Sequence, residues 1–179
     1  NPATHCLIGT GCVVNPETLI AEMDSLTAAG LALDNLSISS RAHLTLPYHP
    51  LLDSLEEAAR GRTALGTTQR GIGPTYSDKA ARWGLRVGDL LRPEWLRQRL
   101  AGTLARKNPA IQALGGQPVD LEALLARCAV WAERLGPRIL DTLPLVRRAL
   151  EAGQTIMLEG QLGVMRDLDW GAYPYVTSS

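Results

Sequence analysis

Gly66-Thr67-Thr68-Gln69-Arg70-Gly71-Ile72-Gly73-Pro74-Thr75-Tyr76-Ser77-Asp78-Lys79-Ala80-Ala81-Arg82-Trp83-Gly84-Leu85-Arg86 departs from every amphipathic pattern around it. Three glycines, two adjacent hydroxyls and Arg70 bring backbone N–H groups, O–H donors and a cation into one loop. Those are the parts of an anion cradle. The loop lacks the Gly-Lys-Ser/Thr ending of a Walker A site, so it is not a P-loop. On chemistry alone the plainer reading is preferred: a surface loop whose glycines make turns and whose threonines cap a helix. Asp78 and Arg82 are spaced as a surface i,i+4 ion pair of little consequence. Lys79, Arg82 and Arg86 would share one face if a helix ran on past Gly84, and three cations with one acid suggest an external anion such as phosphate.

Outward from this loop, strand and helix signals alternate. Residues 6–14 are apolar around Gly9 and Gly11, and predict a buried strand with a turn or bulge. Asn15-Pro16-Glu17 joins a capping Asn, a first-turn Pro and an early acid, which predicts a helix start. Leu19, Met23 and Leu26 follow at helical spacing, and Gly30 closes the pattern. Leu36-Ser37-Ile38 and Leu44-Thr45-Leu46 alternate as half-buried strands do. Leu51, Leu52, Leu55, Ala58 and Ala59 form a helical stripe.

Pro93-Glu94 opens a further helix carrying Leu96, Leu100 and Leu104. Leu121, Leu124, Leu125, Cys128, Trp131 and Leu135 make the clearest amphipathic run. Gly136-Pro137 interrupts it, and Pro144 opens a helix ending near Gly153. Residues 155–158 predict a short buried strand leading into Glu159-Gly160. The sum is an α/β fold: a largely parallel sheet with flanking helices, and a strand-free helical cap over residues 93–152.

Bulk composition narrows the function classes. The 179 residues are 45% hydrophobic and 20% charged, a globular balance, and without Phe the core must be aliphatic. Eighteen basic residues match eighteen acidic ones, which argues against a general nucleic-acid binder. Only Lys79 and Lys107 are lysines among the basic residues. Cys6, Cys12 and Cys128 are odd in number and lack zinc-type spacing, so a reduced, cytosolic protein is expected. No run reaches membrane-spanning length, and the chain begins at Asn1 and stops at Ser179 in a way that suggests a cut from a longer polypeptide.

The run from Gly71 to Arg82, Gly-Ile-Gly-Pro-x-Tyr-x-x-Lys-x-x-Arg, resembles the characteristic motif of adenylosuccinate synthetases. Gly66-Thr67-Thr68 and Gly84-Leu85-Arg86-Val87-Gly88-Asp89-Leu90 resemble that family too. So do Ile8-Gly9-x-Gly-x-Val-Val-x-Pro near the start, and Glu159-Gly160, Asp167-Leu168-Asp169 and Tyr173-Pro174-Tyr175-Val176-Thr177-Ser178-Ser179 near the end. The similarity covers essentially the whole chain and is weakest between about 92 and 152.

The resemblance implies an incomplete P-loop-NTPase-like synthetase fold, a single partial domain over residues 1–179. It implies a cytoplasmic ligase of purine biosynthesis that joins IMP to L-aspartate with GTP and Mg2+, through a 6-phosphoryl-IMP intermediate. IMP contacts would come from the loops at 66–86 and 159–179. Thr68 and Thr177 would donate hydroxyls to the 5′-phosphate, Arg82 would reach the IMP of the neighbouring subunit of a homodimer, and Arg70 and Lys79 would support anion binding. The family's Glu-Gly-Ala-Gln-Gly reads here Glu159-Gly160-Gln161-Leu162-Gly163, placing the base-contacting Gln one position early. A one-residue shift in extended chain turns a side chain to the opposite face, so either Gln161 reaches the base by rearrangement or Leu162 contributes packing. Asp169-Trp170-Gly171 replaces the more usual Asp-His-Gly. The resemblance assigns no catalytic residue and no metal ligand to this chain: the GTP loop and catalytic His would lie before Asn1, and the guanine and aspartate segments beyond Ser179. The alternative is a non-catalytic nucleotide-phosphate-binding or dimerisation module.

Overall fold

A computed structural model of the chain describes residues 4–160 and 163–178. Two small parallel sheets form its centre. In the first, β1 (Cys6–Ile8) pairs with β3 (Leu36–Ser39), and β3 pairs with β5 (Ile139–Leu140). In the second, β2 (Val13–Val14) pairs with β4 (His43–Leu44). The expected parallel arrangement is therefore present, but the apolar run at 6–14 serves both sheets rather than one strand. The turn between them is closed by the Cys12 amide on the Gly9 carbonyl at 3.1 Å. Strand β3 is not half-buried as its alternation suggested: Ser37, Ile38 and Ser39 are all buried, because it is the middle strand of its sheet.

Helix α1 (Pro16–Ala28) begins where the sequence places it, with Asn15 Oδ1 accepting the amides of Glu17 and Thr18 at 3.1 and 3.2 Å. It ends at Gly30, whose φ of +81° lets the Leu31 amide reach back to the Leu26 carbonyl at 3.0 Å. Helix α2 (Tyr48–Arg60) buries Leu52 and half-buries Leu51 and Leu55 of the expected stripe, but Ala58 and Ala59 are exposed, and its buried face includes Tyr48, His49 and Asp53. Helix α3 (Ile72–Ala81) lies inside the stretch read as a loop. Helices α4 (Pro93–Ala113), α5 (Leu121–Leu135) and α6 (Leu143–Glu151) follow the predicted starts.

The segment 93–152 is not strand-free, since β5 lies between α5 and α6 and extends the first sheet. The aliphatic core runs from Ile38, Leu44 and Leu46 through Leu85 and Val87 to Leu100, Ile111, Leu124 and Leu135. Cys128 sits in it, and burial pushes its thiol up to about 12. Cys6, Cys12 and Cys128 are all free thiols. No helix among the described residues is long and apolar enough to cross a membrane.

The expected buried strand at 155–158 is absent. Those residues join neither sheet, and Met157 and Leu158 are 86% and 91% exposed. A strand needs a neighbour to satisfy its backbone, and this one has none among the described residues.

Candidate functional site

The site is built around α3, which the fold grips from both sides. At its start, Gly71 donates its amide to Asp53 Oδ2 at 2.9 Å and adopts a φ of +77°. A β-carbon there would stand 2.5 Å from the Pro50 nitrogen and 2.7 Å from the His49 carbonyl carbon. Only glycine allows α2 and α3 to approach this closely. One turn on, the buried Thr75 hydroxyl donates to the Gly71 carbonyl at 2.7 Å and lies 3.1 Å from the Thr45 hydroxyl at the end of β4.

Asp78 is the keystone of this region. It is 2% exposed, and its carboxylate accepts from Tyr48 Oη at 3.2 Å, from His49 Nε2 at 3.1 Å and from Lys107 Nζ of α4. His49 Nδ1 accepts the Leu46 amide at 2.8 Å, so the neutral ring must carry its proton on Nε2, the atom facing Asp78. Burial holds His49 below its ordinary pKa, so the ring stays neutral despite the carboxylate. Burial acts to raise the Asp78 pKa, but bonds from His49 and Lys107, with the lysine charge, hold it below the usual carboxylate range. Burial and the adjoining Asp78 carboxylate push the Tyr48 phenol well above its usual value. The carboxylate is thus charged, and Lys107 is the cation that balances it.

This arrangement overturns the expected Asp78–Arg82 surface pair. The expected shared face of Lys79, Arg82 and Arg86 also fails, because α3 ends at Ala81 and Arg86 sits in extended chain. Arg82 closes the helix with a φ of +68°, and the Trp83 amide returns to the Asp78 carbonyl at 2.9 Å. The same six-residue closure ends α1, but there the left-handed position is a glycine. Placing an L-residue in it costs roughly 1 kcal/mol. Arg82 is exposed, and Lys79 Nζ lies 5.3 Å from the centre of the Tyr76 ring.

The expected amide cradle around Gly66 has an occupant from the chain itself. Glu57 of α2 accepts the amides of Leu65, Gly66 and Thr67 at 3.0, 2.9 and 3.3 Å. The Leu65 amide, the largest influence, and its two neighbours hold the Glu57 carboxyl below its usual range. The side chains of Thr68 and Arg70 in the same loop are exposed.

The C-terminal segment closes on itself and then on α3. The Thr177 amide donates to the Arg166 carbonyl at 2.9 Å, and Asp167 Oδ1 accepts the amides of Asp169 and Trp170. Ser178 Oγ stands 3.6 Å from the point where a β-carbon on Gly73 would be. The two motif segments far apart in sequence therefore meet, with half-buried Thr177 one residue from that contact. Gln161 and Leu162 lie outside the described residues. The sequence pairs Asp78 with Arg82 instead of Tyr48, His49 and Lys107, and gives no role to His49, Lys107 or Glu57. For His49 a signal existed, since polar residues at 49 and 53 share helical spacing with Leu52.

A family model described as adenylosuccinate synthetase matches residues 1–179, the full length of the chain. The chain belongs to the adenylosuccinate synthetase family. Its relatives include the adenylosuccinate synthetases of Moorella thermoacetica, 49% identical, and of Dehalococcoides mccartyi, 46% identical, each aligned over 99% of this chain. The chain spans 42% of the length of both. A structure titled as fully ligated adenylosuccinate synthetase from Plasmodium falciparum superposes with a TM-score of 0.86 at 32% identity, over 97% of this chain and 40% of that one. The α/β fold with largely parallel sheets is thus that of the synthetase family, whose members are ligases of purine biosynthesis.

Proposed function

We propose that this chain is the IMP-binding part of a cytoplasmic, GTP-dependent synthetase that joins IMP and L-aspartate into adenylosuccinate. It forms one partial domain whose loops at 66–86 and 159–179 enclose the nucleotide, with 93–152 as a helical subregion. The observation that supports this reading is the approach of Ser178 Oγ to within 3.6 Å of where a β-carbon on Gly73 would stand, which brings the two motif segments side by side. Thr68 and Thr177 donate their hydroxyls to the 5′-phosphate, and Arg70 and Lys79 add positive charge around it. For the base, either Gln161 reaches it by rearrangement of its loop or Leu162 contributes packing beside it. Arg82 reaches the IMP of a second subunit, so that affinity for IMP depends on a homodimer.

The chemistry required is phosphoryl transfer from GTP to the purine 6-oxygen, then displacement of that phosphate by the aspartate amine. A purine oxygen is a poor leaving group until phosphorylated. Residues of this chain serve the step by holding the purine in line, which is where positioning lowers the barrier. Mg2+ would neutralise charge on the GTP phosphates. Among the described residues no three His, Cys, Asp or Glu side chains converge to hold a metal.

The test uses the full-length gene product. It should form adenylosuccinate from IMP, GTP and aspartate, with preference for IMP over GMP and ribose 5-phosphate in binding titrations. Mixing an Arg82→Leu protein with one defective in its GTP loop should restore activity through hybrid dimers. Absence of recovery removes the role of Arg82 across the interface. Binding of IMP without turnover of the full-length product points instead to a non-catalytic module.

A further inference from the structure

Arg82 presents a contradiction in local structure. It is a long, exposed cation in a left-handed backbone position that α1 gives to glycine, and both helices share the return bond from the following residue to the carbonyl five positions back. A residue stays in such a position only when its surroundings over-determine it.

Those surroundings come from three directions. The Asp78 carbonyl accepts both amides that follow Arg82, those of Trp83 and Gly84, each at 2.9 Å. From α4, Arg99 Nη2 donates to the Arg82 carbonyl at 3.0 Å and lies 3.4 Å from the Gly84 carbonyl. Thr103 Oγ1 reaches the Trp83 carbonyl at 3.4 Å. Asp78 is in turn fixed by its carboxylate to Tyr48 and His49 of α2 and to Lys107 of α4. One residue therefore joins a buried ionic cluster, through its side chain, to the turn that bears Arg82, through its main chain.

We propose that Asp78 is a positioning residue for Arg82: anchored by Tyr48, His49 and Lys107, it fixes the left-handed turn and so the direction in which the Arg82 guanidinium leaves the protein. The proposal rests on the reading of Arg82 as a ligand of the IMP phosphate. Asp78 itself touches no substrate. Its effect is geometric, since a guanidinium matched to a phosphate loses its paired bonds when its origin shifts. Arg99 is the second support, acting on the far side of the same turn.

The experiment is a double-mutant cycle in the full-length gene product, reading steady-state constants for IMP and GTP. Asp78→Asn keeps the shape but removes the charge that holds Lys107, and should raise the KM for IMP about tenfold while moving that for GTP less than about twofold. In an Arg82→Leu background the same change should have no further effect on the IMP constant, because the group it positions is gone. Arg99→Met, which leaves the Asp78 cluster intact, should reproduce the IMP-specific rise if Asp78→Asn fails to fold. Full additivity of Asp78→Asn with Arg82→Leu, or equal losses for IMP and GTP, overturns the proposal while leaving Arg82 as a ligand. An Arg82→Leu protein with unchanged affinity for IMP overturns the ligand reading, and the proposal with it.

Discussion

Ser178 rests against Gly73, its Oγ 3.6 Å from where a β-carbon on that glycine would stand. That spacing is ordinary van der Waals contact, so one methyl group fits, whereas the two γ-carbons of a valine would add bulk beside Ser178. Gly73→Ala should leave IMP affinity within about threefold of the parent, whereas Gly73→Val should weaken it about tenfold by moving the C-terminal segment off α3. Calorimetric titration of both variants against IMP checks this.

Gly71 tolerates far less. Its absent β-carbon would lie 2.5 Å from the Pro50 nitrogen, and its backbone is left-handed. Gly71→Ala should destabilise the protein by about 3 kcal/mol or more, combining overlap with backbone strain. Urea unfolding should show a lower midpoint at unchanged slope.

His43 gives the fold an acid limit. It is 8% exposed, and its Nδ1 has no hydrogen-bond partner among the described residues. Burial first, then the charges of Lys79 and Arg86, lower its pKa from 6.5 to about 4, against a weaker opposing pull from Asp89. The unfolded chain therefore takes up a proton below pH 6.5 that the folded chain refuses until about pH 4. Stability from this group is fully present above pH 6.5 and is lost as pH falls through that window, by about 3 kcal/mol in all. Unfolding free energies measured from pH 7 to 4 should fall less steeply in His43→Gln.

Glu57 should control the order of the 65–67 turn. Its carboxyl sits below the usual range because three amides donate to it, so the charged form persists as pH falls and the bonds fail only under more acid conditions than for a free glutamate. Glu57→Ala should speed hydrogen exchange at Leu65, Gly66 and Thr67 while leaving α5 amides unchanged. Equal protection in parent and variant would show that the turn holds itself.

Much of this architecture is legible in the sequence because the signals are local. Asn15 caps α1, Gly30 closes it, and the stripe from Leu121 to Leu135 gives α5 with its buried face. Helix α3 escaped because it is short and opens with Gly71, Gly73 and Pro74, residues that read as turn. Asp78 escaped for a different reason. Sequence spacing shows its near neighbours in the chain, Lys79 and Arg82, but not Tyr48 or Lys107, about 30 residues away on either side. The motif marked the segment on which the proposed site is built; the ionic cluster beneath it depends on tertiary neighbours that no local pattern displays. The strand expected at 155–158 was read from its composition, while a strand exists only with a partner.

That bare tract carries a practical consequence for handling the segment alone. Ile156, Met157 and Leu158 form an uncharged, apolar stretch turned towards water. Such a stretch adheres to its own kind. Solutions of the isolated 179-residue chain should scatter light more steeply as they are concentrated, and a single lysine in place of Met157 should keep them clear.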